Sequence, residues 1–377
     1  MKTIQFTLVF LIVLLSACGH KGSEISESAI ENSGDSLNTA VGDSVASDWI
    51  EYMQSSDDGF WEDMAEHEIS YRFSEHLYDE EDIEIPVYSP FAVCCFSDTI
   101  FVTDAATKQV VALDTGGTVL WKAGGSGEGP GEFSMMTTLA VSKSFVAALN
   151  IHMDRVELFN RDGSFARSFR ITRPQDIVAL DDTTFIIGST EEQSGDLHIL
   201  NTNRGIIRSF GQADLDLYDW AYRPDLMRLC TGGDGRVAVF NRYEGLLSIY
   251  DIETEECVYS GNRDYPADPT PPVFFTESNG ETRPVLFPIG GNAFSGPEGM
   301  LNVVVCNYMD DGSFISDPDY LDFAPVTGID RYDWDGNYLD SYCLPDSCIN
   351  FVSPLSDENT LIGRNFAEGV LCVFEKN

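Results

Sequence analysis

From Ile83 onward the hydrophobic positions fall in short runs of Val, Ile, Leu, Phe and Tyr, broken every few residues by Gly, Asp and Asn. Runs of that length between turn residues predict strands and hairpins rather than long helices. One phrase recurs six times, a mainly apolar run ending in an acid or amide. Its copies are Val111-Ala112-Leu113-Asp114, Glu157-Leu158-Phe159-Asn160, His198-Ile199-Leu200-Asn201, Ser248-Ile249-Tyr250-Asp251, Asp330-Arg331-Tyr332-Asp333 and Cys372-Val373-Phe374-Glu375. Counted between their last residues, the steps are 46, 41, 50, 82 and 42 residues. All but one suit a single four-stranded unit, so the period predicts an all-β, six-bladed propeller of antiparallel blades.

Within one repeat the pattern places strands at 137–141, 145–150, 155–160 and 165–171, with Asn160-Arg161-Asp162-Gly163 turning the third into the fourth. Glycine there supplies the positive φ that tight hairpins need. The last repeat has strands near 348–352, 359–364 and 369–374, and then the chain stops one strand short. Residues 82–88 read as an extra strand ahead of the first complete repeat. The expected closure pairs it with the final blade, which removes an exposed edge. The long step is filled by two insertions, near 262–299 and 309–325, and loops of that length in a compact domain are often functional.

The N-terminus has a different character. Lys2 precedes a mostly apolar run from Ile4 to Leu15, too short for a membrane span and suited to a secretory signal over residues 1–17. Its ending, Leu15-Ser16-Ala17-Cys18, resembles a bacterial lipobox, which implies cleavage before Cys18 and lipid attachment there. Residues 18–47 read as an acidic disordered tether, and 48–82 as an acidic, aromatic-containing segment in which Trp49, Tyr52 and Met53 fall at helical spacing, which suits a short helix or a segment that orders on partner binding. The propeller is expected over 83–377.

The formal charge is −40, with 19 acids and one base, Arg72, between Glu24 and Glu84. Phosphate binding needs clustered Lys and Arg, so nucleic acid is excluded as a partner class. Cys343 and Cys348 bracket Leu-Pro-Asp-Ser and form the candidate disulfide of an oxidising envelope. Asp310, Asp311, Asp317, Asp319 and Asp322 form a candidate cation-binding segment, although the EF-hand order is absent. No cofactor motif is present.

After the first repeat comes Gly124-Gly125-Ser126-Gly127-Glu128-Gly129-Pro130-Gly131-Glu132-Phe133, where the chain must cross between blades. It lacks the Gly-Lys-Ser/Thr ending of a phosphate loop, and Glu128 and Glu132 are expected to accept backbone hydrogen bonds in the crossing. The stretch Gly127, Glu128, Gly129, Pro130, Gly131, Glu132, Phe133 resembles the signature of six-bladed β-propeller lipoproteins of gut-dwelling Gram-negative anaerobes. The hairpin turns also suit propellers of the NHL or TolB type. The resemblance implies an envelope-anchored propeller that binds ligands or proteins, and it brings no catalytic residues.

The five histidines form no HExxH, and no serine sits in a GxSxG elbow. His152, Asp154, Arg155, Arg223 and Glu298 are the scattered groups that a propeller enzyme would have to bring together at its central mouth. The expected function is therefore a lipid-anchored, monomeric binding or scaffold module on the outer membrane, facing the periplasm or the outside, with a protein or glycan partner. The alternative is a propeller hydrolase or lyase acting on a carbohydrate or lactone.

Overall fold

The computed structural model describes residues 71–78, 85–190, 196–211, 227–232, 235–242, 245–262, 273–276, 282–285, 290–296, 299–305, 327–344, 349–357, 359–365 and 368–377. The signal segment, Cys18, the tether, the five aspartates between 310 and 322, Cys348 and the side chain of Cys343 lie outside them, as do Arg223 and Glu298.

Strand β1 is Tyr71–His76. Blade 1 follows as β2 (Pro90–Phe96), β3 (Thr99–Asp104), β4 (Gln109–Asp114) and β5 (Val119–Gly124). Blade 2 is β6 (Met136–Val141), β7 (Phe145–Asn150), β8 (Arg155–Asn160) and β9 (Phe165–Arg170), and blade 3 is β10 (Pro174–Ala179), β11 (Thr184–Ser189), β12 (Leu197–Asn201) and β13 (Gly205–Phe210). Blade 4 is β14 (Met227–Thr231), β15 (Arg236–Asn241), β16 (Leu246–Asp251) and β17 (Cys257–Asn262). A two-stranded hairpin outside the blades, β18 (Val273–Thr276) and β19 (Thr282–Val285), comes next. Blade 5 is β20 (Gly290–Ser295), β21 (Leu301–Val305), β22 (Thr327–Tyr332) and β23 (Tyr338–Leu344). Blade 6 is β24 (Ile349–Pro354), β25 (Thr360–Asn365) and β26 (Val370–Lys376), completed by β1 in the order β1-β26-β25-β24. The result is six four-stranded antiparallel blades, their innermost strands neighbours around a ring that closes from β24 to β2.

Closure by an N-terminal strand is as expected, but the strand is not 82–88. Tyr71 pairs with Lys376 and His76 with Cys372, while residues 85–88 carry no strand. Tyr71 is buried against the Tyr342 ring, 5.4 Å away, and Leu77 and Tyr78 follow it into the core. The C-terminal part of the 48–82 segment therefore supplies an edge strand, while the helix expected around Trp49, Tyr52 and Met53 lies outside the described residues. The first insertion is also narrower than expected, because Gly290–Ser295 within it is the inner strand of blade 5.

The repeated phrase is the third strand of every blade. Its second and third residues face the two neighbouring blades in turn, and both are buried in most copies, as at Ala112 and Leu113 or Ile249 and Tyr250. A sheet covered on both faces reads as a continuous apolar run rather than an alternating one. The terminal acid caps the hairpin. Asp114 Oδ1 accepts from Gly116 N (3.0 Å) and Thr118 N (2.8 Å), and Asp251 and Asp333 do the same in blades 4 and 5.

The phrase's first residue has another task. In four blades it meets a serine directly across on the fourth strand: Glu157 with Ser168, His198 with Ser209, Ser248 with Ser260 and Asp330 with Ser341. Each pair is hydrogen-bonded, at 2.8 Å for His198, 3.1 Å for Ser248 and 2.6 Å for Asp330. Just beyond, the register between third and fourth strands slips in all six blades. The pair pins the register on one side of that bulge, and the bulge twists the outer edge away from strand addition.

Long side chains on fourth strands lock blades 1, 2 and 3 each to the next. Trp121 Nε1 donates to Arg161 O (2.9 Å) and Arg167 to Thr202 O (3.1 Å); Arg208 donates to Ile252 O. Each acceptor is the first carbonyl after the phrase in the following blade.

Candidate functional site

The glycine-proline motif forms a wedge between blades 1 and 2. Gly125 N donates to Lys108 O (2.9 Å) and Phe133 N to Gly125 O (2.8 Å), folding the loop back on itself. Phe133 is wholly buried and stacks on Phe159 at 6.1 Å. Gly129 N donates to Glu132 Oε2 (2.9 Å), so Glu132 accepts a backbone bond as expected. At Glu128 it is the backbone carbonyl that is bonded, by Arg155, which also reaches Gly129 O.

Beneath the loop, buried Glu157 accepts from Gly131 N (3.0 Å) and from the Ser168 hydroxyl, and its other oxygen forms an ion pair with Arg155 Nε at 2.9 Å. Arg155 is thereby committed to holding the crossing. Gly131 has φ +76°, and a Cβ there would lie 2.8 Å from the Phe165 ring, so only glycine fits. The motif is structural cement for a blade junction, and nothing in its geometry cradles a phosphate.

At the centre of the ring, Asp176 on β10 accepts from Leu229 N of β14 (2.7 Å), joining blades 3 and 4. Asn292 on β20 makes the corresponding clamp to blade 6, accepting from Val352 N and donating to Val352 O, both at 2.8 Å. Burial pushes the Asp176 carboxyl up, against the pull of the Arg228 guanidinium and of the Leu229 N–H. Arg228, on blade 4, is itself buried and lies 5.0 Å from the centre of the Phe351 ring on blade 6. Phe351 in turn lies 6.0 Å from Phe91 of blade 1, over which Arg364 sits at 5.5 Å. Arg364 donates to Pro90 O (2.6 Å) and Asn350 Oδ1 (3.1 Å). Side chains from blades 1, 3, 4 and 6 thus fill and brace this level of the axis. Sequence reading missed Asp176, Arg228 and Arg364 because each sits in an ordinary apolar strand. The available signal was an ionisable residue within an apolar first-strand or second-strand run.

The scattered catalytic candidates are not drawn together among the described residues. His152 is exposed on the short turn Ile151–Met153. Asp154 accepts from Arg173 N (2.8 Å). His198 is buried inside blade 3, its Nε2 2.7 Å from Ser189 Oγ and its Nδ1 2.8 Å from Ser209 Oγ. That geometry places the ring in the sheet interior, away from any mouth. Burial also pushes the Cys94 thiol up to about 11, which keeps it protonated and unreactive. No group of three or more His, Cys, Asp or Glu side chains suited to a metal ion occurs among the described residues, and no helix there is long and apolar enough to cross a membrane.

Residues 77–200 match the DUF5128 family model, described as 6-bladed beta-propeller. No curated protein matches this chain. Many solved structures do. A Bacteroides fragilis chain described as exported is 14% identical with TM-score 0.49, over 82% of this chain and 95% of its own. The WD40 repeats of RRP9 are 10% identical with TM-score 0.49, covering 82% and 100%. A streptogramin B lyase is 13% identical with TM-score 0.48, covering 81% and 100%.

Proposed function

We propose that this chain is an envelope-anchored propeller, held by lipid at Cys18, that works as a ligand- or protein-binding module. One observation supports its contact surface. Antiparallel order alternates strand direction, so links from a fourth strand to the next first strand leave the ring at the same end as links from a second to a third strand. The strand ends that flank 212–226, 263–289 and 306–326 all belong to these two kinds of link, in blades 3, 4 and 5. Three long connections therefore depart from one face and one side, while blade closure uses none of them. Chain length in excess of what a blade needs is where recognition is usually built. The acidity of the chain directs this face to protein or glycan and away from nucleic acid.

The test replaces residues 263–289 with a short Gly-Ser linker, sparing β20. Native-membrane pull-down is compared with that of the intact chain, and melting is followed alongside. Loss of a specific partner with unchanged melting supports the reading, and an unchanged partner set removes it. Release of a Cys18→Ser chain from the membrane fraction tests the anchor separately.

A further inference from the structure

On each fourth strand that follows its third by a hairpin, the register slip leaves one residue unpaired and open to solvent. In blades 1 to 5 these residues are Leu120, Ala166, Ile207, Val258 and Leu339, and all are exposed. Beside them on β5, β9 and β13, Val119, Phe165 and Ile206 are exposed as well. Charge then divides this rim. β5, β9 and β13, six residues each, hold four bases, Lys122, Arg167, Arg170 and Arg208, and no acid. In a chain of 62 acids and 22 bases that is a local exception. Near the edges of blades 5 and 6 the bases are instead paired, Arg331 with Asp340 of β23 and Arg72 of β1 with Glu375.

Arg167 and Arg208 serve the contacts between blades. No ion pair or side-chain hydrogen bond among the described residues engages Lys122, Arg170 or Arg204, the last in the hairpin leading into β13, and all three are exposed. Protection of a sheet edge accounts for the bases. It does not account for the apolar side chains among them, which invite the association that edge charges prevent. We propose that the outer edges of blades 2 and 3 form a docking strip for an anionic bilayer surface. Two adjacent edges of a six-sided ring lie in one plane, so a flat surface meets both at once. Ile206, Ile207 and the exposed face of Phe165 enter the acyl boundary while Arg170 and Arg204 meet lipid phosphates, the combination that interfacial binding uses. The rim is convex, and a fluid surface closes around separate side chains where a rigid protein partner would need a groove. The screening length of about 8 Å at physiological salt lets the strip act locally, despite the formal charge of −40. This pose sets the ring axis along the membrane and leaves the face of the long connections uncovered. The inference rests on the envelope reading for one point, that a bilayer lies within reach.

The test uses the full chain as a Cys18→Ser variant, which carries no lipid, with Cys257→Ser to remove an exposed thiol. An environment-sensitive fluorophore is attached at Ala166→Cys in blade 2 or at Leu339→Cys, the matching bulge position in blade 5. Vesicles of equimolar phosphatidylethanolamine and phosphatidylglycerol are compared with neutral phosphatidylcholine vesicles. Docking predicts a blue shift at the Ala166 site on anionic vesicles and none at the Leu339 site. Arg170→Glu with Arg204→Glu should weaken partitioning at least about 10-fold with melting unchanged, and Ile207→Ser should weaken it about 5-fold or more. No shift at either site, equal shifts at both, or a shift that neutral vesicles and charge reversal leave undiminished overturns the proposal. A shift at the Ala166 site with soluble polyglutamate and none with vesicles also overturns it, because the strip then reads acidic polypeptide. Failure in this unlipidated chain leaves the anchored reading standing. Docking is released by salt and lipid anchoring is not, so a high-salt wash of membranes keeps the two apart.

Discussion

Gly131 and Asp176 carry the strongest single-residue predictions. Adding a Cβ at Gly131 meets both a left-handed φ and the Phe165 ring, so Gly131→Ala should destabilise by about 1–3 kcal/mol. Thermal melting checks this, and an unchanged midpoint would show that the wedge can shift without cost. Asp176 differs from Asn292, its counterpart in blade 5, in having no N–H to offer the neighbouring strand. Its folded pKa is raised, chiefly by burial. The sign follows directly: whatever stability the protonated form confers is fully present below the unfolded carboxylate value and is lost as pH rises through the folded pKa. Asp176→Asn supplies the missing donor and cannot ionise. It should melt at or above the wild-type temperature near pH 7, and the advantage should vanish toward pH 4. A variant clearly less stable at pH 7 would mean that attraction to Arg228 outweighs desolvation.

At the scale of strands, the sequence pattern was legible where one residue type does one job. In its first five copies the phrase ends in Asp or Asn because the hairpin needs a cap, and its spacing gives six third strands directly. The strands expected at 145–150 and 155–160 coincide with β7 and β8. The closing strand was not legible: Tyr71-Arg72-Phe73-Ser74-Glu75-His76 buries so little that its apolar signal is lost among acids. Nor were the serine pairs, because a bulge shifts the fourth strand by one residue and breaks the count from the hairpin. Two predictions belong at this scale. Ser209→Ala leaves His198 Nδ1 short of a buried partner and should cost about 1–3 kcal/mol, seen as a lower denaturant midpoint. Removing residues 1–70 should leave melting unchanged, whereas removing 1–78 also strips Tyr71, Leu77 and Tyr78 from the core. At about 1.5–3 kcal/mol for each fully buried large side chain, that loss should exceed about 4 kcal/mol, and equal melting of the two truncations would show that β1 does not close the ring.

For the molecule as a whole, a charge of −40 works against compaction, yet many acids are also hairpin caps, and pH separates the two roles. Hydrogen bonds from the Ser164 hydroxyl and N–H hold Asp162 below the usual carboxylate range, and the Thr254 N–H does the same for Asp251. At Asp333, bonds from Asn337 outweigh an opposing desolvation. A depressed folded pKa contributes stability that is present above the unfolded value and disappears as pH falls through the folded one. Carboxylates of ordinary pKa, by contrast, begin to lose charge near pH 5, which relieves self-repulsion while the caps remain ionised. Melting temperature should therefore rise as pH falls from 7 to about 5, pass through a maximum, and drop below about pH 3.5 as the caps protonate. Salt should mimic the first limb, because at roughly 0.5 M the screening length is well under the roughly 10 Å found at 0.1 M. Differential scanning calorimetry across pH at about 10 mM and 500 mM salt tests both limbs. If salt leaves the pH 7 midpoint unmoved, the acids are spaced too widely to repel one another, and the charge serves solubility alone.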